Sequence, residues 1–522
     1  MNSASVALNE KVLHLLRKCK HLAHLKQLQA FLIALGHEQS HFYSFKLLRF
    51  CALALSNLQY ARRIFDHIDS PNTHLYTAII TAYSSVGDSH AVFILYNQML
   101  RRGHPRPNHF VFPHVLRSCS DECDLKGVQS IHPHVVKWGF DGYSVVQTAL
   151  VDGYAKCSLI CSARDLFDEM SDRTVVSWTA MLFGYARMGL VGNAVSIFEE
   201  MPDRDVPSWN AVISGCTQNG LFPVAVSLFQ RMVLAGERPN ETTLVCALSA
   251  CAHLGMLRLG RWIHGYVYRN KIGLNSFICN ALLDMYGKCG SLVQSALLFD
   301  MNLGKSLASW NSLINCLALH GQNEKAIAAF KDMENMGFKP VGVTFVGLLN
   351  ACTHAGLLDE GRKYFKLMSE HYGIEPQIQH YGCFIDLLCR VGSFEEAMGV
   401  ISGMKMKPDE VIWGSLLNGS RIHGNMELAE FALQKLLEMH PDNAGYGRML
   451  ANIYCESGKW EDVDNVREMV EDKGGQKTPG CSWIEVNNKL EQFYSGDGQP
   501  ATADQQILFV LQSLSELSIY DL

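Results

Sequence analysis

Apolar positions recur along this chain in paired blocks of helical spacing. In residues 206–240, Trp209, Val212 and Ile213 fall at i, i+3 and i+4, and Gly220 ends that run. Val224, Ala225, Leu228, Phe229 and Met232 mark a second run, which Gly236 and Pro239 close. The block predicts a helix, a turn and a second helix. Its landmarks return elsewhere in one register. Trp178, Trp209 and Trp310 stand in SWTAM, SWNAV and SWNSL, at spacings of 31 and 101 residues. The second spacing accommodates one 31-residue block and two of 35 residues. TALVDGYAKCSLI (148–160) and NALLDMYGKCGSL (280–292) lie 132 residues apart, as do the pairs Ile131-His132 and Ile263-His264. LSACAHLGML (248–257) and LNACTHAGLL (349–358) repeat the offset of 101.

In this register, repeats begin near Thr73, His109, Ser144, Val175, Val206, Glu241, Ser276, Leu307, Gly342 and Ile378, and their lengths run from 31 to 36 residues. Two weaker repeats precede them, near 9–41 and 42–72, and two degenerate ones follow, near 410–443 and 444–476. One hairpin cannot bury its apolar faces alone, whereas stacked neighbours can. The pattern therefore predicts an all-α solenoid of helix-turn-helix repeats with a long concave surface. The expected organisation is a short segment 1–8, two degenerate repeats over 9–72, the main array over 73–409, a repeat-like extension over 410–476 and a tail over 477–522.

Composition agrees and narrows the classes. With 48% hydrophobic and 18% charged residues, the 522-residue chain has enough apolar material for a continuous core. No apolar run reaches the roughly 18–20 residues that span a bilayer. The 17 cysteines of a large chain without a long apolar leader point to a reducing compartment rather than a disulfide scaffold. Cys119, Cys251 and Cys352 share the eleventh position of related repeats, and Cys157 and Cys289 share the fourteenth of two others. All five are expected to be core residues, where a thiol behaves as a small hydrophobe. The net charge of −6 conceals a gradient: +7 over residues 1–140, −2 over 141–394 and −11 over 395–522. A basic beginning suits a polyanion and an acidic end suits a protein partner.

Blocks of this length carrying SWNAV, DMYGKCG, LFDEM and G-x-x-P segments resemble pentatricopeptide repeats. The mixture of 31-, 35- and 36-residue repeats resembles the plant PLS subclass, which combines long and short variants. WGSLLNGSRIHGNMELAE (413–430) and YGRMLANIYCESGKWEDV (446–463) resemble that subclass's C-terminal E/E+ extension, and KTPGCSWIEV (477–486) resembles the proline-glycine box after it. The strict-period tetratricopeptide class, which binds peptides, is the rival. The alternating period and the polar residue after each Trp (Thr179, Asn210, Asn311) favour the pentatricopeptide reading. The resemblance implies a right-handed superhelical solenoid that binds single-stranded RNA, one base per repeat.

In that family the fifth and last residues of a repeat address the base edge, and the second packs on the base. Thr77 with Asn108 then implies adenine, Thr179 with Asp205 guanine, and Asn210 with Asn240 cytosine. Asn280 with Ser306 implies cytosine, and Asn311, paired with Val341, a pyrimidine preference. Thr148 with Thr174 lies outside the usual pairs, and Pro113, Val245 and Val346 leave the long variants without an edge-bonding fifth residue. The expected target is A, two unread bases, G, C, one unread base, C and a pyrimidine. The competing reading makes these residues helix caps, for which Asn, Asp, Ser and Thr are equally suited.

Many relatives of this subclass end in a DYW deaminase domain, whose zinc site needs H-x-E and C-x-x-C spacings. This sequence contains neither, and the 39 residues after Trp483 are too few for that domain; the stretch NNKLEQFYSGDGQPATADQQI resembles only its beginning. His132 with His134 and the pairs Cys119/Cys123 and Cys157/Cys161 offer no complete metal-ligand set. No P-loop, GxSxG or Rossmann fingerprint is present. A non-catalytic protein without metal or cofactor is expected. The resemblance implies a site-recognition factor for organellar C-to-U editing that recruits a DYW-type deaminase and accessory editing proteins in trans. An organellar stability, splicing or translation factor, or a peptide-binding scaffold, remains open. Five Lys/Arg against one acid in residues 1–26 suit a targeting peptide loosely. The resemblance favours the mitochondrion, then the chloroplast.

Overall fold

The computed structural model describes residues 3–301, 305–440 and 443–456, the positions 460 and 463, and the segments 481–486 and 489–494. The chain divides into two compact parts, Met1–Thr243 and Leu244–Leu522. Each is built of helical hairpins. In the first, the hairpins run from Ser3–Lys18 with Leu22–Ala34 to Val206–Gln218 with Phe222–Leu234. In the second they run from Glu241–Leu254 (whose first turn contains the division) with Leu257–Arg269 to Glu410–Ile422 with Met426–Met439, and Ala444–Glu456 follows.

First helices begin at Thr73, Ser144, Val175, Val206, Glu241, Ser276, Leu307, Gly342 and Ile378, the residues at which the sequence register opens. The exception is Val111–Asp121, which starts two residues after His109 with Phe110 as its N-cap; Asn108 Oδ1 accepts from the amides of Phe110 and Val111 at 3.2 Å each. The helix Ser3–Lys18 already occupies part of the stretch expected as a short leading segment. At the far end, Cys481–Val486 and Lys489–Tyr494 pair as an antiparallel hairpin, Cys481 opposite Tyr494. These strands are the exception to the all-α expectation, and no hairpin was anticipated there.

The alternation of repeat length has one structural origin. Second helices span ten residues in the short repeats, as in Ile160–Glu169, Val191–Glu200 and Leu292–Met301. They span 13 in the long ones, as in Phe222–Leu234 and Asn323–Asn335. The difference is nearly one turn of about 3.6 residues. First helices keep 13 or 14 residues in all of these repeats. Among these repeats the length variation lies in the second helix and the loop behind it; Val111–Asp121, at 11 residues, is a shorter first helix.

Two contacts bind hairpin to hairpin. In four repeats the fourth residue of the first helix is an aromatic ring that meets, edge to face, a Phe of the preceding second helix. The pairs are Phe65/Tyr76, Phe167/Trp178, Phe198/Trp209 and Phe299/Trp310, with centroids 4.6–4.9 Å apart. Such geometry adds about 0.5–1.5 kcal/mol beyond burial. A cation covers the same Phe: Arg173 on Phe167 and Arg204 on Phe198, both at 4.9 Å, and Lys305 on Phe299 at 4.5 Å. Consecutive first helices also touch through small residues. A Cβ on Gly184 would lie 2.8 Å from the Cβ of Ala155, and one on Gly215 would lie 2.5 Å from the Cβ of Ala186.

The ends of first helices are tied to their neighbours as well. Asn219 Nδ2 donates to the Ala186 carbonyl at 3.0 Å and Arg187 to the Lys156 carbonyl at 3.0 Å, while His320 Nε2 meets the Gly287 carbonyl at 2.6 Å. The Ala186 and Gly287 carbonyls also accept the amides of Gly189 and Gly290, so the next repeat adds a second hydrogen bond to a carbonyl at each helix end.

Gly215→Ala is expected to destabilise the protein by about 1–3 kcal/mol, because the added methyl meets a backbone-rooted Cβ that cannot swing away. Gly192→Ala, in a helix position with open space around it, serves as the control and should be neutral or stabilising. Denaturant unfolding of the two variants measures the difference.

Candidate nucleic-acid interface

Positions two and five of a helix share a face, one turn apart. In this protein that face is open. The second residues Phe110, Val145, Val176, Phe277, Val343 and Val411 are all exposed, with Val145 at 64% and Val176 at 65%. In the first part, a groove of about 710 Å³ brings the second residues Val145 and Val176 together with the fifth residues Pro113, Thr148 and Thr179. Arg117, Lys156 and Arg187 also line it, each with a partner. Lys156 lies 2.9 Å from Asp152 and 3.6 Å from Asp121, Arg117 lies 3.7 Å from Asp121, and Arg187 bonds the Lys156 carbonyl. The groove is an apolar, small-polar surface whose three cations face two carboxylates, Asp121 and Asp152.

From Tyr143 onward the last residue of a repeat is the N-cap of the next first helix, whereas Asn108 lies two residues before the N-cap Phe110 and accepts the first amides there. Thr174 accepts from the Ser177 amide at 3.3 Å, Asp205 from Ser208 at 2.9 Å, Asn240 from Thr243 at 3.1 Å and Ser306 from Ser309 at 3.2 Å. Capping therefore occupies all of these side chains, together with Asn108. It does not exhaust them. Asp205 and Asn240 cap through Oδ1, and the second terminal atom is not needed for the cap.

At two junctions between repeats the fifth and last residues are linked, once directly and once through a hydroxyl. Asn210 Nδ2 donates to Asn240 Oδ1 at 3.1 Å. Asn280 and Ser306 are joined through Ser309, whose Oγ donates to Asn280 Oδ1 at 2.7 Å and lies 3.0 Å from Ser306 Oγ. Asn311 is 8% exposed and accepts from Thr344 Oγ1 at 2.7 Å. Thr77 and Thr179 turn their hydroxyl hydrogens to their own helices, onto the Thr73 and Val175 carbonyls at 2.8 Å each, which leaves acceptor lone pairs. The Thr148 hydroxyl is buried without a hydrogen-bond partner among the described residues. Sequence reasoning missed the hydroxyls of Thr243, Ser309 and Thr344. The available signal was a Ser or Thr at the third position of each repeat that follows a fifth-position Asn.

Residues 74–104, 148–175, 176–206, 207–237, 343–372 and 380–408 match the PPR repeat, residues 305–354 the PPR repeat family and residues 423–485 the E motif. Pentatricopeptide repeat-containing protein At1g33350 of Arabidopsis thaliana is 52% identical, over 98% of this chain and 96% of that protein. The chain belongs to the pentatricopeptide repeat family. It is also similar to two other Arabidopsis thaliana members. Putative pentatricopeptide repeat-containing protein At5g59200, chloroplastic, is 45% identical over 95% of this chain and 90% of its own length. Pentatricopeptide repeat-containing protein At2g22410, mitochondrial, is 35% identical over 94% and 88%.

The remaining candidate chemistry of this pentatricopeptide repeat chain resolves into packing. His132 Nδ1 bonds the Tyr154 hydroxyl at 3.0 Å and His264 Nδ1 bonds Tyr286 at 2.9 Å, one arrangement used twice. Burial holds both imidazoles below their ordinary pKa. His134 bonds Tyr96. Among the described residues no group of three His, Cys, Asp or Glu side chains is placed to hold a metal ion, no disulfide forms, and no helix is long and apolar enough to cross a membrane. Cys119, Cys251 and Cys352 are fully buried as expected. Cys157 and Cys289 are not core residues: the helices end at Lys156 and Lys288, so each is a half-buried C-cap residue.

Burial pushes the Cys119 and Cys352 thiols up to about 12, whereas Cys123 and Cys161 are exposed. Iodoacetamide at pH 8 should alkylate Cys123 and Cys161 first and leave Cys119 and Cys352 unmodified until the chain is unfolded. Peptide mass spectrometry reads the order.

Proposed function

We propose that this chain binds single-stranded RNA one base per repeat and selects the site of an organellar C-to-U editing event. The observation that carries the reading is the meeting of fifth and last polar side chains at repeat junctions, beside an exposed second residue. The bonding pattern of each junction suits the edge it is assigned. Thr179 and Asp205 both offer acceptors, which match the N1–H and N2–H₂ donors of guanine. At Asn210/Asn240 the inward Oδ1 of Asn240 is taken by the cap and by Asn210, so Nδ2H₂ is the group offered outward, a match for the N3 acceptor of cytosine. Asn108 caps through Oδ1 and offers a donor, while Thr77 offers an acceptor; adenine presents N1 and N6–H₂. The apolar second residues supply the surface on which a splayed base rests.

Residues 1–72, 73–409 and 410–522 then divide the work into entry, reading and recruitment. The acidic segment from 410 onward, which includes the E motif, would engage a DYW-type deaminase and accessory editing proteins. Relatives named chloroplastic and mitochondrial support an organelle as the setting; the basic residues of 1–26 favour the mitochondrion.

Asn240→Asp keeps the inward acceptor and replaces the outward donor with an acceptor, which suits the N3–H of uracil. The C-to-U affinity ratio at that base should fall by about ten-fold, within the 1–3 kcal/mol that a well-made base contact supplies. Binding of RNA oligonucleotides differing only at that base measures it; an unchanged ratio would refute the assignment. In plants lacking the protein, one C-to-U change should disappear from an organellar transcript whose level is normal. A lost transcript with intact editing would point instead to stabilisation.

A further inference from the structure

The hydroxyl at the third position of a repeat belongs to a different hairpin from the Asn it touches, and the same wiring occurs three times. Thr243 Oγ1 donates to Asn210 Oδ1, Ser309 Oγ to Asn280 Oδ1 at 2.7 Å, and Thr344 Oγ1 to Asn311 Oδ1 at 2.7 Å. In each case the hydroxyl oxygen accepts from the backbone amide of the N-cap residue: Asn240 at 3.2 Å, Ser306 at 3.4 Å and Val341 at 3.1 Å. A backbone N–H is always a donor, so the hydroxyl receives there and its own hydrogen is free for the Asn oxygen. Thr243 Oγ1 also lies 2.9 Å from Asn240 Oδ1, so its one hydrogen has two acceptors within reach, and the orientation of Asn210 is set first by its own bond to Asn240. The Thr243 amide fixes Oδ1 of Asn240 inward, Oδ1 of Asn240 requires the Nδ2 side of Asn210, and Oδ1 of Asn210 is left facing the hydroxyl.

Repeats that follow a fifth-position Thr are wired differently. Ser177 Oγ donates back to the Thr174 carbonyl at 2.8 Å, and Ser208 Oγ to the Asp205 carbonyl at 2.7 Å. Ser208 Oγ likewise accepts from the amide of its cap residue, Asp205, at 3.0 Å, yet its hydrogen goes to the Asp205 carbonyl where the preceding fifth residue is Thr179. At Val341 the cap side chain cannot accept a hydrogen bond, yet Thr344 still reaches Asn311.

We propose that Thr243, Ser309 and Thr344 are positioning residues that fix the amides of Asn210, Asn280 and Asn311 with Oδ1 inward, so that only Nδ2H₂ is presented to a base. Base selectivity of a repeat is therefore set partly by the first turn of the repeat after it. The inference rests on the RNA-reading function above and adds a determinant to it.

The test uses the full chain and RNA oligonucleotides that vary at one base. Thr243→Val removes the hydroxyl at nearly constant shape. It should lower the C-to-U ratio at the base of repeat 206–240 by about five-fold, the size of one hydrogen bond, and leave the ratio at the base of repeat 276–306 unchanged. Thr243→Ser should restore the ratio. In an Asn210→Thr background, Thr243→Val should have no effect on it, since no amide is left to orient. Ser309→Ala provides the same test at Asn280 should Thr243→Val not fold. An equal loss of affinity for all oligonucleotides, or an unchanged ratio in a wild type that discriminates C from U, would overturn the positioning role. A wild type that does not discriminate at these bases would overturn the reading function itself, and the inference with it.

Discussion

Everything in this molecule depends on the contact between one hairpin and the next. An isolated pair of helices 13 and ten residues long exposes a broad apolar face and has little intrinsic helical stability. The edge-to-face pairs Phe167/Trp178, Phe198/Trp209 and Phe299/Trp310 close that face within each part. The Gly184–Ala155 and Gly215–Ala186 approaches then set how near consecutive first helices come. Polar side chains at the helix ends, such as Asn219 and His320, extend the same dependence to the backbone. Stability is consequently a nearest-neighbour property, as expected of a one-dimensional array.

That arrangement explains where variation is tolerated. The close edge-to-face pairs all follow second helices of nine or ten residues, whereas after the 13-residue Asn323–Asn335 the corresponding rings, Phe330 and Phe345, are tilted at 59° with centroids 6.1 Å apart. Both the ring contact and the small-residue contact involve the first helix, which keeps 13 or 14 residues from Ser144 onward and is shorter, at 11, in Val111–Asp121. The face that presents the second and fifth residues is therefore preserved through repeats of 31 and of 35 residues.

Much of this was legible in the sequence because a repeat restates its own register. The Trp spacings located most first-helix starts to the residue, and the glycines at 220 and 236, with φ of +76° and +80°, marked the turns where a left-handed residue is required. The eleventh-position cysteines were placed in the core for the same reason. Cys157 and Cys289 were misplaced because position in a repeat does not reveal that the helix stops one residue earlier. The strands at 481–494 follow a stretch without helical periodicity and share nothing with the repeats. The hydroxyls of Thr243, Ser309 and Thr344 escaped notice because they act across a repeat boundary, whereas a reading organised by repeats compares positions within them.

Capping and base reading were set against each other as alternatives for the last residue of each repeat, and the geometry makes them compatible for some side chains only. A cap needs one acceptor atom. Asn and Asp carry two terminal atoms, so Asn240 can hold the Thr243 amide with one and keep the other for a ligand. Ser and Thr have one hydroxyl: Ser306 accepts the Ser309 amide with its oxygen and, since the Ser309 hydrogen goes to Asn280, gives its own hydrogen to Ser309 Oγ. Such a repeat must take its selectivity mainly from the fifth residue, here Asn280, whose amide is held by Ser309. Where the fifth residue is also a hydroxyl, as in Thr148 with Thr174, neither side chain has a second terminal group to offer. The chemistry that makes a good helix start therefore also limits how much sequence each repeat can read.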